Sequence, residues 1–483
     1  MYDVIIIGAG VIGGFIAREL SKYQVKVLVL EKENDVGNGS SNANSAIIHA
    51  GYDPLPNTLK ARFNVLGAKM YPQIVKELDV KYNKIGSLVV GKKESDFSII
   101  EELFKRGKDN GVDVEIIEGE LLRKLEPHLA SSLDIGLYAK DAAIIDPFNL
   151  VVHCFENAID NGVELKLNEE VIGINTLDNN IYEVVTTNNK YKSHIVINAS
   201  GVNGDKVNEF INEKTFEILP NRGEYYVLDH FSLDFVNHVI FPTPSKKGKG
   251  VLVTPTTSHN YLVGPSSDFV DNRYGVSTDK STLESIKSKA KTIVEDVPYF
   301  QTIRVFSGMR PRSNQNDFII RMEKDGFINV VGIESPGFAS APAIGEYVVS
   351  ELVGKCIKLE RKESFNPYVK KYMIPRDLTL EDRAKLIESD PLYGHIICRC
   401  EQVSEGEIRD VLDRSCPPHS IKGIKKRTRA GFGKCQGGIC QPLVANFLAK
   451  KNGDTLLNIL YDSINTPIVS KETKRGVKNS END

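Results

Sequence analysis

The run Val4-Ile5-Ile6-Ile7-Gly8-Ala9-Gly10-Val11-Ile12-Gly13 decides the fold. Four consecutive apolar residues read as a strand buried on both faces, as in a parallel sheet covered by helices. Gly8, Gly10 and Gly13 follow with the spacing of a dinucleotide-binding turn. The first permits the tight turn, the second lets backbone approach a pyrophosphate, and the third lets helix and strand pack closely. Residues Val11 to Tyr23 read as the helix, whose N-terminal N–H groups and partial positive charge suit phosphate. Val25 to Leu30 is the second strand. Glu31 ends it, about twenty residues beyond the glycines, where an acid accepts hydrogen bonds from a ribose hydroxyl pair. A glycine-rich turn without a ligand is the plain alternative, and it leaves this register of strand, helix and acid unexplained.

Two more segments share the doubly wound character. His194-Ile195-Val196-Ile197-Asn198-Ala199-Ser200-Gly201 is one. Phe327-Ile328-Asn329-Val330-Val331-Gly332 is the other, leading through Ser335-Pro336-Gly337 into a helix expected from near Ala341. The fold class is α/β, with a discontinuous Rossmann-like dinucleotide-binding domain over about 1–80, 146–215 and 306–355. An α+β substrate domain, strand-rich, is inserted over about 81–145 and 216–305. Residues 356–393 are charged and contain three prolines, which reads as a surface linker. A small helical domain follows at 394–450, then a polar tail at 451–483.

With 483 residues the chain is too long for one core. Its 41% hydrophobic and 26% charged residues are those of a globular protein, and a net charge of −3 gives no field for nucleic acid. A strand beginning by Asp3 leaves no room for a signal peptide, and no apolar run approaches the roughly 18 residues of a spanning helix. The expectation is a cytoplasmic protein, with peripheral membrane attachment open. Of seven cysteines, Cys398, Cys400, Cys416, Cys435 and Cys440 crowd together, which points to metal rather than disulfides.

The glycine fingerprint alone does not separate FAD from NAD. Two features favour FAD: Ile195 to Gly201 can cross the dinucleotide from its other side, and the Gly337 helix aims a second N-terminus at the site. Reduced flavin carries negative charge that such donors stabilise. Beyond Gly8 to Gly13 and Glu31, Ser41-Asn42-Ala43-Asn44-Ser45, Ile48-His49-Ala50-Gly51, Gly308-Met309-Arg310-Pro311 and Ser335-Pro336-Gly337 resemble the D-amino-acid-oxidase-like flavoproteins. The Ser-x-Ala-Asn-Ser-x-x-x-His-x-Gly stretch is most similar to glycerol-3-phosphate oxidases and dehydrogenases, with L-2-hydroxyglutarate dehydrogenases close by. The resemblance covers roughly residues 1–355.

That resemblance implies roles. His49 matches the active-site histidine, Ser45 a serine touching flavin or substrate, Arg310 the grip on the substrate's anion, and Lys249 a second cation. Cofactor contacts are implied for Lys32, Ser41, Asn42, Ser45, Val171 and Ala199. Further ones are implied for Gly201, Gly308, Ser335, Gly337 and Phe338. The chemistry suits these types. Alcohol oxidation by hydride transfer requires loss of the hydroxyl proton, which an imidazole can take at neutral pH. A phosphate or carboxylate needs a fixed cation, and arginine offers a planar fork. Plainer readings remain open: His49 only bonding the flavin, Arg310 paired with a nearby acid, Lys249 merely solvated. Arg222 is a weaker candidate for the substrate pocket.

Cys398-Arg399-Cys400 and Cys435-Gln436-Gly437-Gly438-Ile439-Cys440 form a C-x-C and a C-x4-C pair. Four thiolates suit either a 2Fe–2S cluster or a tetrahedral zinc. Zinc knuckles usually pair cysteines as C-x2-C, which favours the cluster. The layout resembles the bacterioferritin-associated-ferredoxin-like 2Fe–2S domain. Lys422, Lys425, Lys426, Arg427 and Arg429 are expected to offset the cluster's negative charge, and the glycines to let N–H groups reach its sulfurs. Cys416 reads as a bystander and Cys154 as core.

These expectations add up to an FAD-dependent dehydrogenase for a small anionic substrate, with glycerol-3-phosphate foremost. Its electrons would pass to the cluster and on to a partner subunit. The rivals are a 2-hydroxyglutarate or amino-acid dehydrogenase, a non-catalytic electron-transfer protein, and a structural zinc module on the same enzyme.

Overall fold

The computed structural model describes residues 1–230, 235–244 and 250–471. They fall into two compact units. One comprises Met1–Lys32 and Val36–Lys371, the other Glu33–Asp35 and the chain from Tyr372 onward.

The first unit holds two large sheets. In the eight-stranded sheet, Tyr2–Ile7 lies between Lys190–Asn198 and Val27–Leu30, parallel to both. The long strand Lys190–Asn198 pairs first with Ile181–Thr186 and then, from Val196 on, with Phe327–Val331. This sheet is therefore assembled from segments more than three hundred residues apart in sequence, as the three apolar runs imply. Ile5 and Ile6 are fully buried, each contributing about 1.5–3 kcal/mol. The nine-stranded sheet carries the inserted segments, and its longest pair is Ile218–Leu228 with Thr302–Ser313. The inserted segments also contain the helix Lys93–Asp109, which the strand-rich reading lacks.

The expected helix near Ala341 begins earlier, at Gly337, directly after the cis Ser335–Pro336 peptide. Pro342 stands inside it and has no N–H for the carbonyl of Phe338. The hydroxyl of buried Tyr71 donates to that carbonyl instead, at 2.5 Å. After this helix the chain is strapped to the first unit. Lys362 N–H donates to the Lys22 carbonyl, Gln24 N–H to the Glu360 carbonyl, and Val369 N–H to the Glu77 carbonyl.

In the second unit the stretch expected as linker contains a helix, Leu380–Ser389, capped by Thr379. A short hairpin, Ile396–Cys398 with Val403–Ser404, precedes the helices Glu405–Leu412, Ile421–Thr428 and Gln441–Asn452. Ser404 and Glu407 cap the first of these reciprocally. Ile397, Val403, Ile408, Ile424, Val444 and Leu448 form the core. No helix among the described residues is long and apolar enough to cross a membrane.

Candidate active site and cysteine centre

The dinucleotide turn is built by close backbone approach. Gly8 has φ +105°, and a Cβ there would meet the Ala199 carbonyl oxygen at 2.5 Å. A Cβ on Gly13 would lie 2.0 Å from the Gly8 oxygen. Ala199 N–H donates to the Ile7 carbonyl, so the crossover strand ends over the turn, and Gly201 opens the next one. One Glu31 carboxylate oxygen accepts the Ala9 N–H at 2.7 Å, bracing the glycine loop. The Ser41 hydroxyl accepts the Val11 N–H at 3.0 Å, at the helix end beside Gly10. Glu169 N–H donates to the Glu31 carbonyl, which ties the loop before Val171 to the same end of the sheet. Val171 itself packs on the core of that sheet. Lys32 Nζ lies over the Tyr274 ring at 4.5 Å.

The segment between Ser40 and Ala46 is ordered by one side chain. Asn44 accepts the Ala46 N–H through Oδ1, and its amide donates to the carbonyls of Ser40 and Ser41. Ser40–Asn42 thereby forms a short 3-10 turn. Ser40 Oγ donates to the Met309 carbonyl, and a Cβ on Gly308 would meet the Ala43 oxygen at 2.1 Å. The loop therefore lies directly on the strand that carries Arg310. Ser45 Oγ is 3.0 Å from the Tyr225 hydroxyl.

His49 follows the two-residue strand Ile47–Ile48, which pairs with Ala143–Ile145. Asn64 donates to the His49 carbonyl at 2.5 Å, and the imidazole packs on Phe241 with ring centroids 5.8 Å apart. Its Nε2 is 3.4 Å from Ser335 Oγ. Ser335 is exposed, whereas Gly337 is buried and Phe338 half-buried behind it. The histidine thus meets the turn that opens the second helix.

Arg310 pairs in register with Asn221 across the sheet. Its Nη1 donates to Asn221 Oδ1 and its Nη2 to the Ser266 carbonyl at 3.0 Å. Among the described residues no carboxylate pairs with it. Arg222 is on the other face of the strand, with Nη2 3.3 Å from Glu224, so it leaves the Arg310 side. Lys249 lies outside the described residues. The residues that sequence reasoning missed are Asn44, Asn64, Asn221, Tyr225 and Phe241. Strand alternation sets Asn221 and Arg222 on opposite faces, and the register with Arg310 puts Asn221 on the Arg310 side.

In the second unit the four cysteines stand as two pairs. Cys400 and Cys435 are exposed, with sulfurs 3.7 Å apart. Cys398 and Cys440 are buried and hydrogen-bonded to each other. That bond lowers the Cys398 thiol to about 6 against the opposing effect of burial, with help from the Gly431 and Glu401 N–H groups. The same bond, first, and burial push Cys440 up. N–H groups of Ile439 and Gly437 pull Cys435 down despite some burial. Backbone donors thus face the sulfurs as expected. Four thiols standing as two pairs suit the two irons of a 2Fe–2S cluster, each iron taking two thiolates.

The expected cationic compensation differs. Lys426 and Arg427 are buried on Asp35, Lys422 pairs with Asp462, and Arg429 pairs with Glu401. Lys425 lies over the Phe432 ring. Cys416 is buried, its carbonyl accepting from Arg427. Cys154 is core, and burial raises its thiol to about 12.

Comparison with known proteins agrees with this division. The FAD dependent oxidoreductase family matches residues 3–351, and the BFD-like 2Fe–2S binding domain matches residues 396–450. The chain is 41% identical over 483 residues to a glycerol 3-phosphate dehydrogenase of Caloramator mitchellensis, covering 99% of this chain and 100% of the relative. It is 33% identical over 378 residues to a glycerol 3-phosphate oxidase of Mycoplasma genitalium, covering 76% and 97% respectively. Among solved structures, the reduced L-alpha-glycerophosphate oxidase of Mycoplasma pneumoniae with FAD bound superposes with a TM-score of 0.74 at 31% identity. That match covers 77% of this chain and 99% of the oxidase. FAD and a 2Fe–2S cluster are the cofactors of the two matched domains. The chain belongs to the FAD dependent oxidoreductase family and carries a BFD-like 2Fe–2S binding domain after it.

Proposed function

We propose that this enzyme is a glycerol-3-phosphate dehydrogenase, oxidising the secondary alcohol to the ketone of dihydroxyacetone phosphate and sending the electrons through the cluster to a partner protein. The observation that carries the reading is Arg310, a cation whose partners are both neutral, so its charge is kept for an anionic substrate. Full-length similarity to a dehydrogenase, where the oxidase match leaves the cysteine unit uncovered, supports the dehydrogenase branch. When bound, FAD supplies the two-electron acceptor and the cluster a one-electron carrier.

In this reading Arg310 holds the phosphate, with Lys249 as second cation. His49 Nε2 takes the hydroxyl proton as the C–H hydrogen leaves as hydride. Ser335 and Phe241 hold the imidazole in place, and Ser45, set by Tyr225, meets the flavin or the substrate. Anaerobic titration tests the reading. Glycerol-3-phosphate is expected to bleach the flavin, while L-2-hydroxyglutarate and amino acids leave it oxidised. An intact flavin spectrum at millimolar glycerol-3-phosphate would remove it as the substrate.

A further inference from the structure

Asn221 is 2% exposed and sits on the strand face that carries Gly223 and Tyr225. Tyr225 reaches Ser45 from this face, and Arg310 lies flat against it, since a Cβ on Gly223 would fall 2.3 Å from Nη2. Asn221 Oδ1 receives two donors, Arg310 Nη1 and, at 3.2 Å, Ser267 Oγ. An arginine has no acceptor, so the amide's orientation is fixed: the oxygen must face Arg310. The nitrogen Nδ2 is then buried with no hydrogen-bond partner. A buried unmet donor is costly, and native structures keep few of them.

We propose that Asn221 both positions Arg310 and donates from Nδ2 to the substrate's anionic group, as a phosphate monoester would allow. Arg310 uses two of its five N–H donors on Asn221 and Ser266, leaving three. A phosphate monoester has three terminal oxygens, so the two bound by the fork leave a third for the Asn221 donor. This inference deepens the glycerol-3-phosphate reading and rests on it for the substrate's identity.

The test uses the FAD-loaded full-length enzyme with Asn221→Ala, which removes the amide without placing a charge beside Arg310, and Asn221→Ser as a milder second variant. Steady-state turnover of glycerol-3-phosphate is measured anaerobically with an artificial acceptor. Binding of inorganic phosphate is read from the perturbation of the oxidised flavin spectrum. Loss of a hydrogen bond to a charged group is expected to raise KM and the phosphate dissociation constant about 10- to 100-fold. Flavin content and kcat should stay within about threefold, a split that general misfolding would not give. Unchanged KM and phosphate binding in both variants would overturn the inference while leaving the function reading intact. Should wild-type flavin ignore glycerol-3-phosphate, that reading falls, and the phosphate titration decides the inference alone. Weaker phosphate binding in the variants supports it. Equal binding, or none in wild type, overturns it.

Discussion

Asp35 and Arg427, 392 residues apart in the chain, form a buried fork in which both carboxylate oxygens accept guanidinium N–H groups at 2.9 Å. Lys426 Nζ joins them, 2.8 Å from the same carboxylate. Burial alone would raise the Asp35 carboxyl, but the Arg427 and Lys426 charges outweigh it and hold it below the usual carboxylate range.

Removing Asp35 leaves two buried cations uncompensated, so Asp35→Ala should destabilise the cysteine unit by about 3–5 kcal/mol. The sign of the pH dependence follows from the depressed carboxyl. Its stabilisation is full above the unfolded value near pH 4 and is lost as pH falls through the lower folded value. Thermal melts followed at the cluster's visible absorbance should therefore show wild type losing stability below about pH 4. Asp35→Ala should lack that component.

Gly308→Val places a side chain where the Ala43 oxygen lies 2.1 Å from an ideal Cβ. The Ser40–Ser45 loop must move, and Ser41 with it. The expected result is purified protein with a substoichiometric flavin content, measured by absorbance after denaturation, and near-normal iron.

His49→Asn preserves bulk and polarity but removes the proton acceptor. Flavin reduction by glycerol-3-phosphate should slow about 10²–10⁴-fold with FAD content unchanged. A rate within threefold of wild type would assign His49 to flavin contact alone.

Cys400→Ser and Cys440→Ser strike the exposed and the buried pair in turn. Each should abolish the two-iron, two-sulfide stoichiometry, and the flavin should still be bleached by substrate. Zinc at one equivalent in wild type, with no sulfide, would contradict the cluster.

Much of the flavin domain was legible because its signals are local. The Ile5 run, the Gly8–Gly13 turn and Glu31 lie within one βαβ unit, and the paired cysteines within one short module. Other signals were present but misread. Ile100, Leu103 and Gly107 are buried at helical spacing, yet the neighbouring strands dominated the reading of 81–145. Ser335-Pro336-Gly337 looks like a turn, and the helix that starts at once from Gly337 relies on Tyr71, from a distant helix, to satisfy the Phe338 carbonyl. The partners of Lys426 and Arg427 could not be read locally, because Asp35 lies at the other end of the chain. Asn221 needed strand parity, which only the register with Arg310 supplies.

The most direct test of the central claim is to mix the oxidised enzyme anaerobically with less than one equivalent of glycerol-3-phosphate, freeze it, and record EPR beside the flavin absorbance. The account predicts a reduced 2Fe–2S signal that grows with added substrate and is absent from Cys400→Ser. Flavin bleaching with no cluster signal at any time after mixing would contradict the proposed electron route.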